Sequence, residues 1–354
     1  MKKIAILTIT NSGLNFGNRL QNYALQHVLE TLSVEAETIY SSKSISKSIF
    51  LSRIRRLFKS IFKVSGRRKS FNAFERKYIK KAKRHRYERL NDHCFKDEYD
   101  GFIAGSDQIW NPSFPFNSDF EFMVFADPSK RYSYSASFGI DEIPEENKSD
   151  YVAWLQQIKR ISVRENQGRN IVEALIGRNA DVHIDPTMLL TAEHYKSIAC
   201  RPNQTIPVKY LLMYFLGDKL GEYVDYIKRI AKLLNIVILE MDEYENTPLY
   251  HIGPQHFLYL IQHARYVCTD SFHGTTFAIL FQKPFSVFYR SDTNMPMHSR
   301  IDTLLEKMGL QDRLYSATSV KNVLNPIPYE KVMKRLDKER DAAINYLREI
   351  VDQC

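Results

Sequence analysis

The chain opens with KIAILTI, a short apolar run of the kind that forms a strand buried on both faces. A glycine-containing loop, TNSGLNFGN, follows. Then comes RLQNYALQHVLETL, in which Leu20, Tyr23, Ala24, Val28 and Leu32 recur at helical spacing. VEAETIY reads as a second strand. Strand, loop, helix, strand is a βαβ unit, and that unit commits a chain to a parallel sheet. Strands are also expected at FIAGS, YSYSASF and RISVRE, and in ADVHIDPTMLL, which Pro186 stops. A second cycle begins at VKYLLMYFLG. It continues through a helix at roughly 219–234, the strand IVILE, a helix near 255–263, YVCTDS, the helix HGTTFAILFQ and FSVFY. The tail from 329 to 352 is a charged helix without glycine or proline.

A length of 354 residues favours two domains. The expected fold is α/β, with two Rossmann-like domains facing across a cleft and ligands at the carboxyl ends of the strands. The first spans 1–190 and the second 191–325, with a C-terminal helix over 326–354. The halves repeat in type and not residue by residue.

The net charge of +9 conceals an uneven distribution. Residues 43–96 hold 19 Lys/Arg against three acids, a net of +16, and the remainder holds 31 against 38, a net of −7. This basic segment interrupts the α/β pattern as a helical insertion in the first domain. In SIFLSRIRRLFKSIFK, Phe50, Ile54, Leu57, Phe58 and Ile61 form one apolar stripe among Arg53, Arg55, Arg56 and Lys59. Two readings stand: a helix docked on the first domain with its charges solvated, or attachment to an anionic inner membrane face. No recognised nucleic-acid-binding fold accompanies the charge, so nucleic acid is not an expected partner. No run approaches the roughly 20 apolar residues of a spanning helix, and the apolar start is too short for a signal peptide. The four cysteines are scattered without CxxC pairing and read as reduced thiols. A cytoplasmic protein is expected, peripheral on the membrane if the insertion binds it.

The densest chemistry lies in TDSFHGTTFAILFQKPF, residues 269–285. A polar cluster precedes an apolar run suited to a buried helix, so the cluster sits where that helix begins. Helix starts offer unpaired N–H groups and positive dipole character, which attract anions. His273 is there as an acid/base candidate, with Ser271, Gly274 and Thr275 beside it. The plain alternative is a histidine that only hydrogen-bonds nearby backbone. Arg164, at the end of ISVRE, suits a carboxylate or phosphate, or else a salt bridge to Glu165 or across a domain interface. GSDQIWNP supplies Ser106, Asp107, Gln108 and an aromatic platform, Trp110, for a sugar. A turn anchored by a buried tryptophan explains the same residues. The loop NSGLNFGN, which contains Asn18, lacks both GxGxxG spacing and a P-loop lysine. HExxH, GxSxG and zinc spacings are absent, so no metal is expected.

In this order, NFGNRLQNYAL, GSDQIWNP, ISVREN, DPTMLL and TDSFHGTTFAILFQKPF resemble the polysaccharide pyruvyl transferase family. The resemblance implies a GT-B-like pair of domains and transfer of a pyruvyl group from phosphoenolpyruvate, the co-substrate, to a saccharide as a ketal. No further cofactor is implied. The acceptor would be a lipid-linked or nucleotide-linked precursor of a cell-surface polysaccharide. Arg164 matches the family arginine that holds the donor anion, and His273 matches the family HG histidine. Many members carry an arginine two residues before that histidine, where this chain has Ser271. Arg290 and Arg300 are the expected replacements. Asn18, Ser106, Asp107, Gln108 and Trp110 fall to the acceptor. Two other readings stay open: a GT-B-type glycosyltransferase using a nucleotide sugar, and a saccharide-binding protein without turnover.

Overall fold

The computed structural model describes residues 1–9, 13–39, 41–42, 66–82, 85–86, 97–241, 247, 249–291, 298–315, 320 and 324–354. In the first half, β1 (Lys3–Leu7), α1 (Phe16–Thr31) and β2 (Glu35–Ile39) form the opening βαβ unit. After α2 (Gly66–Tyr78) come β3 (Gly101–Ala104) and β4 (Arg131–Ser133). The four strands form a wholly parallel sheet in the order β2-β1-β3-β4. Helix α3 (Glu145–Leu155), β5 (Ser162–Val163), α4 (Asn166–Ile176) and β6 (Asp181–Val182) follow.

Strands β4 and β5 are shorter than YSYSASF and RISVRE suggest, because serines take over the ladder. Ser162 N–H donates to Ser133 Oγ at 2.8 Å, and Ser135 N–H donates to Ser162 Oγ at 3.1 Å. Single bridges, Tyr132 to Arg160 and Ala136 to Val163, carry the sheet on to β5.

The second half repeats the plan. Helix α5 (Ala192–Ile198) leads to β7 (Tyr210–Tyr214), α6 (Gly221–Leu234), β8 (Val237–Met241), α7 (Pro254–His263), β9 (Tyr266–Thr269), α8 (Phe272–Leu280) and β10 (Phe285–Val287). These strands are again all parallel, in the order β8-β7-β9-β10. In both sheets the first and third strands lie side by side, and the connections leave in opposite directions from that point. It is the topological switch point at which α/β sheets leave a crevice. Register aligns Leu7 with Ala104 in one sheet and Tyr214 with Thr269 in the other, so the loops leaving these strands share one level.

The two halves share an apolar core. Phe16, at the start of α1, stacks on Phe257 of α7 at 5.0 Å between ring centres and meets Phe71 of α2 at 5.2 Å. Arg67 lies over the Phe16 ring at 4.9 Å, and Ser70 donates to His251 O at 2.7 Å. Helix α2 is therefore docked across both halves, with Phe71 and Phe74 buried. The amphipathic stretch 48–63 lies outside the described residues, and the membrane expectation with it. None of the helices among the described residues is long and apolar enough to cross a membrane.

Helix α9 (Ser299–Met308) follows the second sheet, and α10 (Tyr329–Gln353) returns to the first half. Tyr346 donates to Ser133 O at 2.9 Å, Arg340 to Met188 O at 2.7 Å, and Lys2 Nζ to Val351 O at 2.6 Å. Leu347 and Ile350 of α10 are fully buried. Truncating Leu347 to alanine removes buried methyl groups where the surroundings relax only in part. Leu347→Ala is expected to cost about 2–5 kcal/mol, read as a lowered thermal midpoint in scanning calorimetry.

Candidate active site

A cavity of about 270 Å³ opens where the two switch points face each other. Its lining comes from the carboxyl ends of the central strands. Ile9 follows β1, Asp107 and Gln108 follow β3, Leu216 follows β7, and Asp270 and Ser271 follow β9. Asn15 and Asn18 from the start of α1, His273 from α8, Phe114, Arg290, His298 and Arg300 complete it.

Two helices begin at this cavity. Asn15 caps α1 by accepting from Asn18 N–H at 3.0 Å, and Ser271 caps α8 by accepting from Gly274 N–H at 3.3 Å. Helix α8 is buried along its whole length, as FAILF requires. Its dipole therefore acts with little solvent screening. The His273 ring stands between the helix starts. A Cβ on Gly17 would lie 2.0 Å from His273 Nδ1, so only glycine at this position of α1 lets the imidazole occupy its place. The other ring nitrogen, Nε2, faces Asp185 Oδ2 at 3.5 Å.

Asp185 is buried at the N-cap of the turn Pro186–Met188, where Oδ1 accepts from Thr187 N–H at 3.0 Å and its hydroxyl at 2.7 Å. Oδ2 accepts from Arg164 at 2.9 Å and from Ser106 Oγ at 3.0 Å. Burial alone would raise this carboxyl, but His273, Arg164 and the Thr187 N–H outweigh it and hold it well below the usual carboxylate range. Arg164 also reaches Asp107 at 3.3 Å and lies over the Phe272 ring at 4.3 Å. Asp107, too, is held low, since Arg164, His273 and Arg300 overcome the effect of burial. Glu165 moves the other way: burial dominates and raises it. Burial, with Arg164 nearby, lowers Arg300 to about 10, so it remains a cation at neutral pH. Asp270 accepts from the N–H groups of Leu216 and Gly217 at 2.7 and 2.8 Å and faces Arg290 at 3.9 Å.

The polysaccharide pyruvyl transferase family model matches residues 15–292. The chain belongs to that family. No curated protein matches the sequence. Among solved structures, the S. aureus MnaA–UDP co-structure is similar with a TM-score of 0.52 and 11% identity, over 100% of this chain and 98% of that one. UDP-GlcNAc 2-epimerase from Methanocaldococcus jannaschii gives 0.50 and 13%, over 95% and 92%. At such identities the likeness shows the fold alone, and that fold is GT-B-like, as expected from the sequence.

For a member of this family, the cavity gathers His273, Ser271, Asn18, Asp107, Gln108, Arg290 and Arg300. Other sequence candidates lie elsewhere. Trp110 is no sugar platform: its ring is fully buried, stacked on Phe122 at 5.2 Å, and its indole N–H donates to Glu121 O. Ser106 is also fully buried, with its hydroxyl shared between Ser135 O and Asp185. The Thr275 hydroxyl donates to Ser271 O in its own helix. Gly274 serves packing, because a Cβ there would meet Thr269 Oγ1 at 2.6 Å. Arg164 lies beneath the cavity, bound to carboxylates: the salt-bridge alternative, with Glu165 at 3.9 Å and with Asp185 and Asp107 as closer partners. Asp185, Gly17, Phe114 and His298 were not singled out from the sequence. Asp185 and Gly17 left a signal only as members of DPTMLL and NFGNRLQNYAL. Among the described residues, no group of three or more His, Cys, Asp or Glu is placed to hold a metal.

Removing the Arg164 cation strands buried carboxylates. Arg164→Met is expected to lose about 3–5 kcal/mol near pH 7, the usual cost of breaking a buried pair. Asp107 and Asp185 are depressed below their unfolded values, so their stabilisation is present above about pH 4 and fades as pH falls below it. Thermal melts should show a lower midpoint for the variant at pH 7 and a shallower acid-side decline. An unchanged midpoint at pH 7 would contradict the structural role.

Proposed function

We propose that this chain transfers a pyruvyl group from phosphoenolpyruvate to two hydroxyls of a cell-surface polysaccharide precursor, closing a ketal. The observation that carries the reading is the position of His273. It stands at a helix start, beside a carboxylate held ionised, in the same cavity as Arg290 and Arg300. Membership of the family supports transferase chemistry of this type.

Phosphoenolpyruvate carries about three negative charges near neutral pH, and charge-assisted bonds are the strongest way to share them. Arg290, Arg300 and the N-terminus of α8 take the phosphate. They fill the role that many members give to an arginine where this chain has Ser271. A proton added to the methylene carbon makes C2 electrophilic. One acceptor hydroxyl adds there and gives up its proton, and the C–O bond to phosphate breaks with its electrons leaving on phosphate. The second hydroxyl then closes the ring on C2, and its proton passes to the phosphate. The products are the ketal and inorganic phosphate, with no net oxidation or reduction, so no redox cofactor is needed. His273 moves a proton in this sequence. Asp185 faces the imidazole at 3.5 Å and orients it. Asp107, Gln108 and Phe114 lie along the cavity as acceptor-side groups.

The test is mass spectrometry of a lipid-linked oligosaccharide incubated with phosphoenolpyruvate. A gain of one pyruvyl ketal, with phosphate released, is the expected result. Added hexose from a nucleotide sugar, with no pyruvyl product, would replace this reading by glycosyl transfer. His273→Ala is expected to fold and to lose on the order of 10²–10⁴ in turnover. Turnover within a few-fold of wild type would leave His273 a structural residue.

A further inference from the structure

Two helix starts open into the cavity, and the assignment above uses only that of α8. The start of α1 opens there as well. Asn15 satisfies Asn18 N–H and leaves those of Phe16 and Gly17 without a partner among the described residues. Asn18 gives an independent sign of a ligand. The residue lines the cavity, yet it is only 2% exposed. Its Oδ1 accepts from Arg19 Nη1 at 2.8 Å, which fixes the orientation of the amide. Its Nδ2 is buried with no hydrogen-bond partner. A buried amide donor left unmet is costly, and such groups are rare without a function. The bond from Arg19 also polarises the amide and makes Nδ2 a better donor.

We propose that Asn18 and the start of α1 hold the carboxylate of the three-carbon donor. The inference rests on the phosphoenolpyruvate reading above and assigns the end of the donor that the arginines leave over. The argument is one of charge. The second half of the chain offers two guanidinium groups, Arg290 and Arg300, suited to a phosphate dianion. The α1 side offers neutral donors and carries the ionised Asp107, which disfavours a dianion more than a single carboxylate. A planar carboxylate has two oxygens, one for Asn18 Nδ2 and one for the backbone N–H groups. The donor then spans the cleft, with each end on a helix start from a different half. This takes Asn18 from the acceptor to the donor.

Calorimetric titration of the full chain with two unreactive probes separates the possibilities. Phospholactate keeps both the carboxylate and the phosphate of the donor. Isopropyl phosphate replaces the carboxylate with a methyl group. Wild type is expected to prefer phospholactate by on the order of tenfold or more, the usual worth of a hydrogen bond to a charged group. Asn18→Leu should cut that preference at least several-fold, the backbone N–H groups keeping the remainder, and change isopropyl phosphate affinity less than about twofold. Asn18→Asp keeps the acceptor for Arg19 and places a negative charge where the carboxylate would lie. It should weaken phospholactate at least about tenfold more than isopropyl phosphate, and it serves if the leucine variant does not fold. An undiminished preference for phospholactate in a folded variant overturns the assignment and leaves the donor reading standing. If wild type binds neither probe nor phosphoenolpyruvate, the donor reading falls and the inference falls with it.

Discussion

One buried guanidinium ties the site together. Arg164 contacts Asp185 and Asp107, approaches Glu165 at 3.9 Å, and lies against the Phe272 ring. These partners come from the ends of β3, β5 and β6 in one half and from the start of α8 in the other. A charge out of water is tolerated only with partners in good geometry, so each loop end is fixed by its need to satisfy Arg164. Asp185 in turn faces His273. The imidazole is thus positioned by a chain of contacts that starts at a residue with almost no access to the cavity.

This explains which parts of the site were legible in the sequence. The βαβ units were plain, because buried strands and an amphipathic helix each impose a period on apolar residues. The helix start around Ser271 and His273 was plain for the same reason, since FAILF can pack in few ways. For Arg164 and Trp110 the sequence left two readings open, because a strand-end arginine and an aromatic in a polar turn look alike whether they face a cleft or lie beneath it. Only tertiary contacts decide, and for Trp110 the decisive one is Phe122, twelve positions away. The contributions of Asp185 and Gly17 depend on the approach of segments far apart in the chain, which no local pattern encodes. Strands β4 and β5 came out short because serine hydroxyls replaced backbone partners, a substitution that hydrophobic spacing cannot register.

The balance of charge in the cavity follows from the same arrangement. The guanidinium of Arg164 is matched by carboxylates, and Asp270 is stabilised by two backbone N–H groups and faces Arg290. Attraction for an anion therefore rests on Arg290, Arg300 and oriented peptide dipoles more than on a large excess of positive charge. Fixed dipoles need no reorganisation when charge shifts during a reaction, a property that the proposed pyruvyl transfer would use.

The stack of Phe16 on Phe257 limits how far the two halves can part. These rings are buried at the base of the cleft, and Phe71 and Tyr214 close around them. Separating the halves by the width of a ring would wet both phenylalanines, at about 1.5–3 kcal/mol each. A state open to that degree would make up roughly one molecule in a hundred or fewer, taking about 1.4 kcal/mol per tenfold. The cleft is therefore held nearly closed at its base, and a ligand would have to enter through its mouth.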